Sequence, residues 1–153
     1  METFKMIQAR KAIRKYRDEQ ISDDQLHELL VAANAGPVGM GRYENYRLTV
    51  IQDPQVLGKL TGIYGAPTVI VISVANGDTA EALSAGAIAH NIELAAEDQG
   101  LGANYNMASL ESIPSETVPD GFKPIFAVTI GQTDETFTPR EVPLDRIKTN
   151  IVK

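Results

Sequence analysis

Residues 68–75 read Thr-Val-Ile-Val-Ile-Ser-Val-Ala, a β-branched run without a single charge. Branched side chains are stiff at χ1 and suit a pleated surface. A strand apolar on both faces must lie inside a sheet that is covered from both sides. The run therefore predicts a central strand, and the rest of the chain has to supply two covering layers and flanking strands.

Two further segments read as strands. Residues 46–52 carry Leu48, Val50 and Ile51, and residues 124–131 read Pro-Ile-Phe-Ala-Val-Thr-Ile-Gly. Helices are expected between them. Phe4, Met6 and Ile7 suggest a short first helix. Ser22 is a good N-cap, Asp23 and Asp24 suit a helix N-terminus, and Leu26, Leu29, Leu30 and Ala33 mark one face. That helix should end before Gly36-Pro37. Asp53-Pro54 opens a helix of about two turns, running through Leu60. Residues 78–99 form the longest helical stretch, with Gly100 as its stop. Its Ala85, Gly86, Ala87 and Ala89 allow another backbone to come close. It is either the core helix of a monomer or the seam with a second copy. Leu83, Ala87, His90, Asn91, Leu94 and Ala95 fall on or near one side of it. Residues 110–119 are loop or short helix, broken by Pro114 and Pro119. Strands and helices do not alternate regularly, which favours an α+β sandwich over a doubly wound nucleotide fold. The 153 residues fit one domain, 1–153. Residues 132–153 are a polar, proline-bearing tail that should wrap a partner.

Composition removes several chemistries. With no cysteine there can be no disulfide, thiolate nucleophile, thiolate zinc site or Fe–S cluster. The only histidines, His27 and His90, are far apart, which disfavours a His-based metal site. A net charge of -6 disfavours nucleic-acid binding but leaves room for one local cationic pocket. No stretch is apolar for the roughly 18 residues of a membrane span. The first residues lack a signal-peptide core, so a cytoplasmic protein is expected.

Four segments could carry chemistry. Arg10, Lys11, Arg14, Lys15 and Arg17 place five cations in eight residues. Arg10 and Arg14 would share a face if the segment were helical. Guanidinium groups offer fixed paired donors for a phosphate or a planar carbonyl edge; the alternative is a solvated, charged helix end. Residues 36–41, Gly-Pro-Val-Gly-Met-Gly, form a loop that lets backbone approach a ligand, or a plain turn. Asn104 and Asn106 could bond a heterocycle or serve a turn after Gly100-Leu101-Gly102. Glu93, Glu97 and Asp98 read as a solvated face rather than as acid/base groups, and His90 as a satisfied core or interface histidine. No nucleophile elbow is present.

The order of these segments resembles the FMN-dependent nitroreductase family over nearly the whole chain. The residues that carry the likeness are Arg10-Lys11-Ala12-Ile13-Arg14-Lys15-Tyr16, the 36–41 loop, Gly65-Ala66-Pro67 and, most specifically, the stretch from Asn91 through Leu94-Ala95-Ala96 to Gly100-Leu101-Gly102. The resemblance implies an α/β sandwich with a central, mostly antiparallel sheet flanked by helices. It also implies an intertwined homodimer with FMN at the interface. Arg10 would then hold the phosphate, with backbone help from Lys11 and Ala12, and Arg14 would sit by the flavin N1 and O2 edge. Pro37, Val38, Gly39 and Gly41, from the partner chain, would line the ring. Asn104, Tyr105 and Asn106 would lie beneath it, and Arg140 would be a second phosphate cation. The implied activity is an NAD(P)H oxidoreductase. It would pass hydride through flavin N5 to an electron-poor acceptor such as a nitroaromatic or quinone, with no side-chain acid or base required. Ala12 replaces the family's serine and Gly41 its asparagine. Those two losses motivate the alternative, a non-catalytic flavin-binding or ligand-sensing dimer.

Overall fold

A computed structural model describes residues 2–153. The expected central strand is β2, Thr68–Val74, with every residue buried. It pairs antiparallel with β1, Tyr46–Ile51, on one side and with β4, Lys123–Gln132, on the other. A fourth strand, β3, Leu101–Tyr105, pairs antiparallel with β4, giving the sheet order β1-β2-β4-β3.

The period of two in β2 explains the layers. Ile70 and Ile72, with Val128, Ile130, Leu101 and Ala103 of the neighbouring strands, pack against two helices. These are α2, Asp23–Asn34, and α4, Thr79–Asp98. Val69, Val71 and Ala127 face the other way, onto Leu60, Ile63, Leu110 and Ile113. The sheet is thus a filling between helices on one side and short turns and loops on the other. This is the α+β sandwich that the chain order implies.

Local chemistry sets the helix ends. The Ser22 hydroxyl accepts from the Gln25 amide, and the Gln25 side chain accepts from the Ser22 amide, forming a complete capping box. Asp78 caps α4 by accepting from Glu81 N. The first helix, α1, is Thr3–Ala9. The helix expected over 54–60 is only one turn, α3, Pro54–Leu57. Beyond it the chain tightens into three-residue bonds, Lys59 N to Val56 O and Leu60 N to Leu57 O, as it passes Gly58.

The segment after Gly100 is a strand and not only a turn. Residues 10–17 are not helical, so the condition under which Arg10 and Arg14 would share a helix face is not met. This segment is anchored by Ile13 N bonding to Ala103 O at 2.9 Å and Arg17 N to Gln132 O at 2.9 Å. Gly102 makes room for it, because a Cβ there would stand 2.6 Å from Ile13 Cγ2. The tail beyond Gln132 has no helix or strand and follows the same edge as far as Arg140.

Candidate functional site

The cationic segment runs off the end of α1 and lies along β3 and the C-terminal half of α4. That placement brings Arg10 to α4, where its Nη1 lies 3.5 Å from Glu93 Oε1. The Lys11 amide donates to Glu97 Oε1 at 3.0 Å. The tail closes the other side, and Arg140 Nη1 donates to the Arg10 carbonyl at 2.8 Å. The Lys11 ammonium pairs with Glu135 and lies 5.9 Å from the Phe137 ring centre. Arg10, Lys11 and Arg140 therefore meet at one place, although 130 positions separate Arg10 from Arg140. Ala12 and Arg14 are exposed on the same stretch. Arg17 is tied to Asp134 of the tail and belongs to the strapping of that edge.

Asn104, Tyr105 and Asn106 leave the adjacent strand end in three different ways. Asn104 is buried within the sheet. Tyr105 is partly exposed, and its hydroxyl lies 2.6 Å from His90 Nδ1. Its ring stands edge-on to Phe126 at 5.3 Å. Burial pushes the Tyr105 hydroxyl pKa upward, and the neighbouring Glu93 carboxylate adds to the shift. Asn106 is committed to local structure: its Nδ2 donates to Gly62 O at 2.6 Å and its Oδ1 accepts from Ser109 N at 3.0 Å. It holds the loop that carries Tyr64, an exposed aromatic residue with φ of 57°. A bulky residue in the left-handed region is strained. Tyr16 lies under the same region. Burial raises its pKa to about 12, against the opposing hydrogen bond from Thr129.

Glu93 and Glu97 correct the reading of this helix face as solvated. They are 1% and 3% exposed, whereas Leu83, on the side that carries Ala87, His90 and Asn91, is 72% exposed. The buried face of α4 is the one carrying Ala85, Ile88, Ala89, Ile92 and Ala96, and the two glutamates extend it at its C-terminal end. Asp98 is exposed, as expected. Burial pushes the Glu97 carboxyl up to about 7; the hydrogen bond from the Lys11 amide pulls the other way, and nearby Glu93 adds to the rise. Sequence reasoning placed neither glutamate in a site. The one available signal was a pair of carboxylates four apart on a helix otherwise rich in small residues.

The remaining expected residues stand elsewhere. Pro37, Val38, Gly39 and Gly41 form a loop on the N-terminal half of α4, where Gly39 N donates to Ser84 Oγ at 3.0 Å. Gly36 is pressed so closely to Ile88 that a Cβ there would lie 2.8 Å from its Cγ1. Gly41 has φ of 65° and open space beyond its Cα. Ser84 and Glu93 are nine residues apart on one helix, which is roughly 14 Å at 1.5 Å per residue. Within one chain the loop and the cations are thus two separate clusters.

Among the described residues, no helix is long and apolar enough to cross a membrane. Nor does any group of three or more His, Asp or Glu among them stand where it could hold a metal ion.

Comparison with known proteins agrees with this architecture. The model of the nitroreductase family matches residues 7–61 and 55–113. A protein of Archaeoglobus fulgidus, provisionally named an NADH dehydrogenase/NAD(P)H nitroreductase, is 37% identical over 60 residues. That match covers 39% of this chain and 34% of the relative, so the aligned part is about a third of the relative's length. The crystal structure of a nitroreductase with bound FMN from Desulfitobacterium hafniense superposes with a TM-score of 0.83 at 22% identity, covering 99% of both chains. A nitroreductase family protein from Clostridium difficile gives 0.82 at 23% identity over 100% of both.

Proposed function

Since this chain belongs to the nitroreductase family, we propose that it is an FMN-dependent NAD(P)H oxidoreductase acting on small electron-poor acceptors such as nitroaromatics or quinones. The observation that carries the proposal is the meeting of Arg10, Lys11 and Arg140 at one edge of the sheet. These three come from segments far apart in sequence, and two guanidiniums with an ammonium make a donor set suited to a phosphate. The residues present therefore fit the phosphate end of FMN.

In this reading Arg10 and Arg140 hold the phosphate, with Lys11 and Ala12 beside it. Exposed Arg14 supplies positive charge at the pyrimidine edge of the flavin, where the reduced ring is anionic. Tyr105, Asn104 and Asn106 form the floor, and Asn106 acts by fixing the Tyr64 loop. Bound FMN supplies the redox chemistry, accepting hydride from NAD(P)H and returning it to the acceptor. The protein's part is position, electric field and exclusion of water. The loop Pro37, Val38, Gly39 and Gly41 completes the ring pocket from the second protomer of a homodimer. Its distance from the cations along α4 supports that division.

The test starts from the purified protein loaded with excess FMN. A retained yellow chromophore that NADH or NADPH bleaches, and that nitroaromatic or quinone reoxidises, is the expected result. Retention of FMN without turnover would favour the non-catalytic flavin-binding alternative, for which Ala12 and Gly41 are the motive. No binding at millimolar FMN would sink both.

A further inference from the structure

Glu93 and Glu97 stand one helical turn apart and face the cations that would hold the phosphate. Each has one oxygen engaged, Oε1, by Arg10 Nη1 or by the Lys11 amide. Each also has a second oxygen, Oε2, that is buried without a hydrogen-bond partner among the described residues. The His90 Nδ1 lies 3.5 Å from Glu93 Oε2 but is taken by the Tyr105 hydroxyl at 2.6 Å. A buried carboxylate with an unsatisfied oxygen is unfavourable, and a second anion brought alongside makes it more so. Protonation removes the repulsion and turns the idle oxygen into an O–H donor.

The groups facing Glu97 are Arg10 and the Lys11 amide from the extended segment, Arg140 from the tail, Glu93 from its own helix and Tyr105 from β3. His90 and the Lys11–Glu135 pair lie one shell further out. Glu97 has no ion-pair partner of its own among the described residues: its bond is to a neutral amide, and Arg10 is engaged with Glu93.

We propose that Glu97 is part of the phosphate site as its proton acceptor, so that FMN binds together with one proton drawn from solvent. This rests on the FMN reading above. The burial that already holds Glu97 near neutral makes that proton easy to acquire around pH 7. The sign is diagnostic. The phosphate of FMN itself loses its second proton near pH 6, so a purely cationic cradle would bind it equally well or better as pH rises. A cradle with a proton-accepting carboxylate binds it less well.

The experiment is a titration of the FMN-free protein with FMN, read by flavin fluorescence at constant ionic strength between pH 7 and 9. Riboflavin, which lacks the phosphate, is the control ligand. The expected result is a Kd for FMN that rises by up to about tenfold per pH unit above pH 7.5, with no such slope for riboflavin. Glu97→Gln should flatten the slope and bind FMN more tightly than the parent at pH 9. Calorimetry of the unaltered protein in buffers of different ionisation heat should count close to one proton taken up at pH 8, and this count decides the matter even if Glu97→Gln folds poorly. FMN binding with a flat or falling Kd and no proton uptake overturns the inference and leaves the cofactor reading standing. Failure of both proteins to bind FMN at any pH removes the cofactor reading and the inference with it.

Discussion

Arg10 is assigned two roles, and its replacement should separate them. Its guanidinium is the ion-pair partner of buried Glu93 and the first candidate for phosphate. Arg10→Ala should raise the Kd for FMN by tenfold or more, in line with the roughly 1.5–3 kcal/mol of a charge-assisted hydrogen bond. It should also lower the melting temperature, because Glu93 is left without its cation. Arg10→Ala combined with Glu93→Gln should regain the melting temperature but not the FMN affinity. A double variant that recovered both would show Arg10 to be structural only.

Glu97 carries a second residue-scale prediction, in the protein without ligand. Its folded pKa, about 7, lies above the ordinary value of 4.5. Between those values the folded state holds more protons than the unfolded one, so its stability falls as pH rises. The contribution is fully present below pH 4.5 and lost by about pH 7. The full shift corresponds to about 3 kcal/mol as an upper figure. Denaturant unfolding at pH 5 and 7.5 should show this loss in the parent protein and a much smaller one in Glu97→Gln.

The cations were legible in the sequence because five of them crowd eight positions in an acidic chain. The glutamates opposite them were not. Their partners lie 83 and 86 positions away, and nothing in the helix's own spacing announces a cation on its far side.

At the scale of elements, legibility followed how much a segment's fate depends on itself. The β2 run and the Ser22 N-cap are self-sufficient signals, and both lie where their residues put them. Strand β3, Leu-Gly-Ala-Asn-Tyr, has little β-propensity of its own and is made a strand by its partner β4. Both faces of α4 carry small and apolar residues, so its own sequence does not say which one lies on the sheet. Which face lies on the sheet is decided by the sheet.

The close fit between β3 and the cationic segment gives a test at this scale. A Cβ on Gly102 would meet Ile13 Cγ2 at 2.6 Å and Cβ at 3.0 Å. Gly102→Ala should therefore push residues 10–17 off the strand, costing roughly 1–3 kcal/mol and weakening FMN binding. Ile13→Ala alone should also destabilise, by roughly 2–5 kcal/mol. If that contact is the cause, the double variant is less destabilised than the sum of the two, as chemical denaturation would measure. Strict additivity would place the strain elsewhere.

For the whole molecule, the proposed reading makes one chain by itself an incomplete site. Its cations sit at the C-terminal half of α4 and its glycine-bearing loop at the N-terminal half. Between and around them Phe4, Leu83 and Met40 are 70%, 72% and 85% exposed, and beyond Arg140 the tail carries Leu144 and Ile147 into solvent. A second copy set against α4 would cover these residues and bring each loop to the other chain's cations, an isologous arrangement that makes two equal sites. Mixing two damaged proteins tests this directly. Arg10→Ala removes a cation proposed to hold the phosphate, and Gly41→Asp places a carboxylate where the loop would line the flavin. The fold should accept aspartate there, since no atom lies within 4 Å of the new Cβ and aspartate tolerates a positive φ. Each variant alone should bind little FMN. After the two are mixed in equal amounts and allowed to exchange subunits, half the dimers are mixed. Each mixed dimer has one site bearing both changes and one bearing neither, so about a quarter of the original FMN capacity should return. A site built within one chain would carry its damage with it, and mixing would then restore nothing.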